Sequence, residues 1–595
     1  MDGDCGEVKV VDKETSKQAV EGTAAFRASR FTLYLWLLPR LLPIAFFALF
    51  YFYPLVSIFS VSGGEEILRA LIDPGLWQVA AFTAWQAALS TIATLIVGLP
   101  GAYLLGRYRF RGQSLLRALT AVPFVMPTLV VAAGVNALIG ERGWVNLALA
   151  SLGLPAITIV GTMAAIVLAH VFYNATIVMR LVGDYWSHLD PRVAQAARTL
   201  GASPLQAFFR VTLPLLAPAL LAASLLVFIF DFTSFGVILI LGGPRFATLE
   251  VEIYRQTFAF FNLPAAAALS LIQLLCTLSL TILYTRLSAR VTRAGSTRSS
   301  GFTQQPLITL RQKLGAAVIV ITLGFLLLSP LLALTVRSVS RLEAERGQRG
   351  EIQTGFTLDY YRALFENERG AAFFQTPINA VGNSVRYALI TVILSLALGL
   401  PTAWVMAAPQ PLPASRFTFG VSRAGIKGWT LEPLLMLPLG TSAVTLGLGY
   451  LLAFGQWWAS PWLIPMAHTL IAFPFVVRSL LPAWRGIRPQ WRWAAATLGA
   501  SPGEVWRRID LALVGRAMMV AAAFSFAISL GEFGATALLN RPEFPTVPIA
   551  IYSFIGKPGA LNFGRALALS VILMMTSATS ILLIERVRLK GITEF

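Results

Sequence analysis

The chain has 595 residues, of which 56% are hydrophobic and 13% are charged, and its mean hydropathy is +0.71. This composition lies outside the range of soluble globular domains and indicates a protein whose main solvent is a lipid bilayer. The net charge of +19 would suit a nucleic-acid partner in a soluble protein, but cationic loops on one side of a membrane explain it, so we expect no nucleic-acid partner.

Apolar stretches recur along the chain, and each is long enough to cross the hydrocarbon core as a helix. We predict about 12 membrane-spanning helices and an all-α polytopic membrane protein. Six predicted helices lie near residues 41–61, 79–105, 116–139, 156–180, 215–241 and 265–287. The other six lie near residues 314–336, 378–406, 431–455, 461–484, 517–540 and 564–585.

Lysine and arginine side chains concentrate in every second loop, beginning with the segment before the first predicted helix. The positive-inside rule therefore predicts that both termini are cytoplasmic. The 337–377 loop is predicted to lie outside, and acids such as Glu343 and Asp359 balance its arginines. The first thirty residues lack the apolar core of a cleavable signal peptide, so we expect the first helix to be retained.

The chain contains two copies of one unit. Residues 199–204 and 497–502, which are 298 positions apart, both read Thr-Leu-Gly-Ala-Ser-Pro. The same offset pairs His170 with His468, Arg180 with Arg478, Pro191 with Pro489, Phe235 with Phe533, Pro244 with Pro542, Thr248 with Thr546 and Tyr254 with Tyr552. Because each copy has an even number of predicted helices, both enter the membrane in the same orientation. We predict two parallel six-helix repeats.

This repeat divides the chain into four predicted segments. They are a cytoplasmic polar tail (1–40), a first six-helix domain (41–290), a cytoplasmic linker (291–313) and a second six-helix domain (314–595). The linker is predicted from its high content of arginine, serine, threonine and glycine.

The repeated hexapeptide lies in the predicted loop between the fourth and fifth helices of each copy. Gly201 favours the end of a helix in a left-handed turn, and Ser203-Pro204 favours the start of a new helix. Gln206, three residues after the serine, predicts a capping box. The second copy repeats the pattern at Gly499, Ser501, Pro502 and Glu504. We predict helix, tight turn, helix in both copies, and the similarity of the two loops favours a shared partner over a mere connection.

These loops resemble the signature loop of the type I permeases of binding-protein-dependent ABC importers. The family loop reads Glu-Ala-Ala, three residues, Gly, nine residues, Ile, one residue, Leu-Pro. The first copy matches at Ala196, Ala197, Gly201, Val211 (for the isoleucine), Leu213 and Pro214. The second copy matches at Ala494, Ala495, Gly499, Ile509 and Leu511. The departures are Gln195 and Trp493 in place of glutamate and Ala512 in place of proline.

The resemblance implies that each loop is a coupling helix that docks on one of two copies of a cytoplasmic ATPase subunit. It also implies an extracytoplasmic substrate-binding protein and a bacterial inner membrane. The implied coupling residues are Ala196, Ala197, Gly201, Ser203, Pro204, Leu213, Pro214, Ala494, Ala495, Gly499, Ser501, Pro502 and Ile509. The chain has no Gly-x-x-x-x-Gly-Lys-Ser/Thr phosphate loop. We therefore expect a transport permease rather than an enzyme, with no cofactor of its own and ATP used by the partner subunits.

The resemblance also bears on the substrate. With its segments Leu-Gly-Gly-Pro (241–244) and Thr-Leu-Glu (248–250), this chain most resembles the fused double permeases of thiamine and ferric-iron importers. Thiamine and ferric iron are the expected substrates, and molybdate, sulfate and polyamines are alternatives. A twelve-helix secondary transporter is a weaker alternative, because it gives no reason for two coupling loops. A membrane scaffold or enzyme would need a soluble domain or a catalytic cluster, and the sequence shows neither.

Two carboxylates, Asp231 and Glu532, lie inside the predicted fifth helices. Ionisable groups at such positions are costly and usually face a cavity or a partner. Two interpretations stay open: the carboxylates line the translocation path and favour cationic cargo, or they are hydrogen-bonded between packed helices. They are not equivalent in the repeat, because Glu532 aligns with Ser234. His170 and His468 are equivalent, and we interpret them as buried hydrogen-bonding residues rather than metal ligands.

Overall fold

The structure is a computed structural model. The residues that it describes are 41–61, 64–243, 245–294, 303–341, 355–366, 375–407, 435, 437–457 and 460–589. The predicted tail (1–40) lies outside the described residues, as do Pro244 and residues 295–302 of the predicted linker.

The described part of the chain is dominated by helices. Those of the first copy are α1 (Leu41–Ser60), α2 (Gly64–Ile72), α3 (Pro74–Arg107), α4 (Gln113–Val125), α5 (Thr128–Ile139), α6 (Trp144–Ser151), α7 (Met163–His188), α8 (Pro191–Thr199), α9 (Pro204–Phe232), α10 (Gly236–Leu241), α11 (Leu249–Phe258) and α12 (Leu263–Ala294). Those of the second copy are α13 (Leu310–Arg337), α14 (Asp359–Arg362), α15 (Asn379–Ala407), α16 (Ala443–Ala453), α17 (Leu463–Arg485), α18 (Pro489–Thr497), α19 (Gly503–Gly531), α20 (Gly534–Leu539), α21 (Val547–Ile555) and α22 (Ala560–Leu589).

Four two-residue strands form two small pairs. β1 (Tyr108–Arg109) pairs in parallel with β2 (Gln305–Pro306), which places the end of the predicted linker beside the loop after α3. β3 (Ser340–Arg341) pairs antiparallel with β4 (Gly355–Phe356) in the long loop after α13. In that loop Asp359 accepts hydrogen bonds from Thr357 and Arg341. The Thr357 bond, followed by the charges of Arg341 and Arg362, lowers the pKa of Asp359.

Ten helices in the described part of the chain are long and apolar enough to span a membrane, and they coincide with ten of the predicted spans. The third predicted span of each copy is instead broken. In the first copy α4 ends and α5 begins around Pro127, where Met126 is extended at ψ 137°, as a residue before proline prefers. In the second copy a 3₁₀ turn at Leu437–Gly440 precedes α16. Residues 431–434 and 436 of that span lie outside the described residues.

The fifth predicted span of each copy is also interrupted. The predicted bounds are 215–241 and 517–540, but the continuous helix stops before the predicted end in both. α9 stops at Phe232 and α19 stops at Gly531, and a short helix follows each break. Helix breaks at membrane depth are tolerated where the freed backbone groups are satisfied within the protein or line a cavity. The positions of these breaks therefore indicate where the interior of the protein is polar.

Each copy is built on three long helices that pack together. They are α3, α7 and α9 in the first copy and α15, α17 and α19 in the second. The first helix of each copy packs elsewhere: α1 lies against α16, and α13 lies against α5. The boundaries predicted at 41–290 and 314–595 follow the repeat in the sequence, whereas the packing interlocks the two copies through their first helices.

Close backbone contacts fix this interlocking on both sides. A Cβ atom at Gly134 in α5 would lie 2.9 Å from the carbonyl oxygen of Pro330 in α13. A Cβ atom at Gly449 in α16 would lie 2.8 Å from the carbonyl oxygen of Pro54 in α1. Both positions therefore need glycine, because any side chain would push the crossing helix away.

We expect Gly134→Ala and Gly449→Ala each to destabilise the protein by about 1–3 kcal/mol, the usual cost of overpacking. The measurement is the melting temperature of the purified chain in detergent. Gly324→Ala in α13 is the matched control, since a Cβ atom there has no neighbour within 4 Å. Equal melting temperatures for all three variants would contradict the proposed close contact.

Candidate functional sites: two matching loops and a central cavity

The two hexapeptide loops have the same backbone conformation. α8 and α18 both end in a left-handed glycine, with φ +92° at Gly201 and +84° at Gly499. In the first copy the Ala202 N–H donates to Ala197 O at 3.1 Å, and the Gly201 N–H donates to Arg198 O at 3.0 Å. These two bonds define a Schellman helix end. The second copy repeats them from Ala500 to Ala495 and from Gly499 to Ala496, both at 3.0 Å.

A new helix starts directly after each glycine turn. The Gln206 N–H donates to Ser203 Oγ at 3.2 Å, and the Ser203 N–H donates back to Gln206 Oε1 at 3.0 Å. In the second copy the same reciprocal bonds join Ser501 and Glu504, at 3.4 Å and 3.0 Å. The capping boxes and the helix, tight turn, helix arrangement predicted from the sequence are therefore confirmed in both copies.

An apolar side chain projects from the tip of each loop. Leu200 is 89% exposed and Leu498 is 88% exposed. Ala196 and Ala494 are also exposed, and Ala197 and Ala495 are half-buried, so the two loops show the same alanine and leucine side chains at matching positions. Exposed apolar groups at matching places on two copies are typical of a surface that a partner covers.

The structure also shows a feature of the loops that sequence reasoning missed. One π-helical turn follows each capping box, at Phe208–Thr212 and at Trp506–Asp510. The predicted residues Leu213 and Pro214 come directly after the first π turn, and Ile509 lies within the second. Such turns inside helices occur frequently at functional sites, and hydrophobic periodicity alone does not reveal them.

A cavity of about 360 Å³ lies between the two copies. The helix breaks form much of its wall: Met126 and Pro127 between α4 and α5, Ser234 between α9 and α10, and Glu532 before α20. Asp231, near the end of α9, also lines it. The two predicted path candidates, Asp231 and Glu532, thus lie on the wall of one cavity.

Asp231 is fully buried and only partly satisfied by hydrogen bonds. Asn174 Nδ2 donates to Asp231 Oδ1 at 2.7 Å, and His170 Nδ1 lies 3.4 Å from the same oxygen. Gln86 Nε2 donates to the Asp231 backbone carbonyl at 2.8 Å, which satisfies an acceptor near the end of α9. The second carboxylate oxygen, Oδ2, has no hydrogen-bond partner among the residues that the structure describes.

Both carboxylate oxygens of Glu532 accept hydrogen bonds from residues three and four positions later in the chain. Its Oε1 accepts from the Ala535 N–H at 2.9 Å. Its Oε2 accepts from the Thr536 N–H at 3.1 Å and from Thr536 Oγ1 at 2.8 Å. The carboxylate therefore caps the free N–H groups at the start of α20. For Glu532 the structure supports the hydrogen-bonded interpretation, although the side chain also faces the cavity.

The two carboxylates belong to one framework built around the equivalent histidines. His170 lies 2.9 Å from both Ser90 Oγ and Ser234 Oγ through its two ring nitrogens. His468 lies 2.8 Å from Ser529 Oγ through Nδ1 and 2.9 Å from Thr536 Oγ1 through Nε2. Both histidines are buried, and the predicted hydrogen-bonding role is confirmed.

The repeat offset shows how the two halves of this framework differ. Asp231 aligns with Ser529, and Ser234 aligns with Glu532. The acid and the serine have therefore exchanged places around the equivalent histidine: His170 Nδ1 faces Asp231, whereas His468 Nε2 lies 3.2 Å from Glu532 Oε2. This exchange explains why the acids looked unrelated in the sequence.

Equivalent aromatic residues meet between the copies. The rings of Phe235 and Phe533 are stacked, with centroids 5.2 Å apart and an interplanar angle of 20°. Tyr254 packs on Phe235, and its equivalent Tyr552 packs on Phe533, both with centroids 5.5 Å apart. All four residues obey the repeat offset of 298 positions. The stack therefore follows the pseudo-twofold symmetry of the repeat.

Residues 98–293 match the family model described as "binding-protein-dependent transport system inner membrane component". The chain is also similar to permeases over most of its length. It is 28% identical to the thiamine transport system permease protein ThiP of Escherichia coli (strain K12), over 82% of this chain and 84% of that protein. It is 29% identical to the protein of the same name from Brucella suis biovar 1, over 89% and 90%.

The match over residues 98–293 and the similarity to these permeases confirm the predicted resemblance to the inner-membrane components of binding-protein-dependent importers. The chain is 27% identical to the probable ABC transporter permease protein y4fN of Sinorhizobium fredii, over 88% of this chain and 90% of that protein. It is a multi-pass inner-membrane permease of an ABC importer. Permeases of this class work with ATPase and binding-protein partners. The predicted resemblance to this family and the predicted all-α polytopic fold are confirmed.

We expect Glu532→Gln to destabilise the permease by about 1–2 kcal/mol, because an amide NH₂ group would replace one of the oxygens that cap α20. The melting temperature in detergent should fall below that of the wild type. Glu66→Gln on the exposed face of α2 is the control and should melt like the wild type. A Glu532→Gln variant as stable as the control would mean that the cap is dispensable.

Proposed function

We propose that this permease imports thiamine and forms the whole translocation path in one chain. Two copies of an ATPase subunit would dock on the two loops, and a binding protein would deliver the substrate from the opposite side. ATP would bind to the partner subunits, and the chain would hold no cofactor. In this proposal both termini and both loops face the cytoplasm, in agreement with the positive-inside distribution of arginine and lysine.

The observation that carries the docking proposal is the identical geometry of the two loops. Each has a Schellman end, a capping box and an exposed leucine, so two identical subunits would meet two surfaces with the same backbone geometry and the same projecting leucine. Each loop also connects two long helices of its own copy: α7 and α9 flank the first, and α17 and α19 flank the second. Closure of an ATPase dimer would then move the two helix bundles as rigid bodies.

The thiamine proposal is supported by the names of the relatives and by the cavity. The relatives from Escherichia coli and Brucella suis are named thiamine transport system permeases and align over most of their length. The cavity presents the carboxylates of Asp231, Glu250 and Glu532, which suit a cationic solute such as thiamine.

We expect the double variant Gly201→Val with Gly499→Val to insert normally but to lose coupling. Valine at a positive φ is strained by about 1–2 kcal/mol per residue, so both turns would deform. Co-purification of the ATPase subunit and uptake of labelled substrate should both fall, the latter by about tenfold or more. Unchanged uptake would refute the coupling role of the loops.

The matched control is Gly153→Val with Gly559→Val. These glycines also have positive φ, +69° and +115°, and open space around them. They lie in loops predicted on the other side of the membrane. The control therefore introduces similar backbone strain without touching the docking surface, and its uptake should stay near the wild-type value.

A second variant tests the surface without changing the turn. We expect Leu200→Ser with Leu498→Ser to weaken ATPase co-purification, because both exposed apolar contacts are removed while the glycines stay. Leu152→Ser, which changes a leucine that is 73% exposed in the loop after α6, is the control. If both variants retain the ATPase equally, the leucines are not part of the docking surface.

The substrate is tested by uptake of labelled thiamine into cells that produce the permease with its ATPase and binding protein. Thiamine uptake that requires ATP and the permease supports the proposal. Uptake of labelled ferric iron in place of thiamine would overturn the substrate assignment and leave the permease function intact.

A further inference from the structure

We propose that the cavity between the copies is itself a substrate-binding site for a planar organic cation. The charge would lie at Asp231, and the ring would stack between Phe235 and Phe533. This inference rests on the proposed function, because it takes the cargo to be a thiamine-like aromatic cation. It adds a site within the permease, distinct from that of any binding protein.

The charge of the cavity wall favours a cation. Asp231, Glu250 and Glu532 line the cavity, and no lysine or arginine is among the described residues that line it. Carboxylates at a cavity of low dielectric constant attract positive charge more strongly than they would in water.

The hydrogen bonds of the three carboxylates single out Asp231. Glu532 caps the start of α20. Glu250 accepts from Gln273 Nε2 at 2.7 Å and faces Ser442 at the start of α16, so a helix N-terminus stabilises it as well. Glu250 Oε2 and Asp231 Oδ2 both have no hydrogen-bond partner among the described residues, but Glu250 has the start of α16 beside it. A buried unpaired carboxylate oxygen is costly, and a cationic ligand would satisfy it.

The aromatic part of the wall favours a planar cation over a compact one. Phe230, Phe475 and Phe524 line the cavity together with the stacked pair Phe235 and Phe533. Aromatic faces attract cations and stack on planar rings. Because the two stacked rings come from different copies, movement of the copies apart would expose both faces to one planar ligand. The cavity volume of about 360 Å³ lies within the range of small-molecule sites, about 300–1,000 Å³.

The test is equilibrium binding of labelled thiamine to the full chain purified with its ATPase subunits, with no binding protein present. We expect saturable binding, and we expect choline, a cation without a ring, to compete about tenfold less well. Asp231→Asn should weaken thiamine binding by about tenfold or more. Phe235→Leu with Phe533→Leu should weaken it by about threefold to thirtyfold. Glu532→Gln and Glu250→Gln should each weaken it less than Asp231→Asn does.

Two features separate a binding effect from a folding effect. The amide oxygen that Asp231→Asn introduces can still accept the hydrogen bond from Asn174, so the isosteric variant keeps the wall intact. Phe82 and Phe246 form a second stacked pair, with centroids 5.9 Å apart, away from the cavity. Phe82→Leu with Phe246→Leu is therefore the matched control, and its thiamine affinity should equal that of the wild type.

The outcomes distinguish this site from the proposed function. Suppose that cells take up thiamine but the purified complex does not bind it, or that the wild type and the Asp231 and phenylalanine variants bind it equally. Either result would overturn the proposed site and leave the proposed thiamine transport intact. If cells take up no thiamine, the proposed function fails. In that case thiamine binding that depends on Asp231 and on the stack would still support a site for planar cations, and its absence would overturn it.

Discussion

The structure depends on one constraint of the bilayer: every backbone N–H and C=O group at membrane depth must be hydrogen-bonded within the protein or face a cavity. The breaks after Phe232 and Gly531 release such groups. Glu532 bonds the free N–H groups of α20, and Gln86 bonds the Asp231 carbonyl near the end of α9. The polar side chains of the cavity are therefore linked to the breaks, and the cavity lies where the breaks meet.

The same helices connect the cavity to the loops. α7 carries His170 and Asn174 and ends two residues before α8, while α9 begins within the first loop and carries Asp231. A displacement of this loop must therefore reach both sides of the Asp231 cluster through two rigid helices. In the second copy α17 carries His468, and α19 begins within the second loop and ends directly before Glu532. Because α1 and α13 pack on the opposite copies, neither bundle can move without the first helix of the other.

The features that depend on a few neighbouring residues could be predicted from the sequence. Gly201, Ser203 and Gln206 specify a helix end and a helix start within six positions. The structure has the predicted helix end and capping box in both copies. The apolar stretches located the long helices for the same reason. The packing of α1 and α13 on the opposite copies could not be predicted, because hydropathy indicates that a helix spans the membrane but not which helix it packs against.

The missed helix breaks had a weaker signal. Pro127 follows an apolar run, but proline is tolerated inside membrane helices, and Pro100 and Pro401 lie within α3 and α15. Only the tertiary context decides which proline ends a helix. The role of Glu532 was hidden for a related reason. Its partners, Ala535 and Thr536, become cap donors only once α19 has ended at Gly531.

The exchange of acid and serine between the copies has a consequence for the cavity. Around each histidine one carboxylate and two hydroxyl groups are kept, so both rings stay hydrogen-bonded. The carboxylates, however, are used differently. Glu532 is held by α20, whereas Asp231 keeps an unpaired oxygen. Because both copies lie in one chain, each position was free to diverge from its equivalent. Carboxylates from both copies line the cavity, but the oxygens among them that have no partner in the described residues, on Asp231 and Glu250, both belong to the first copy, and this asymmetry suits a cargo whose own charge is off-centre.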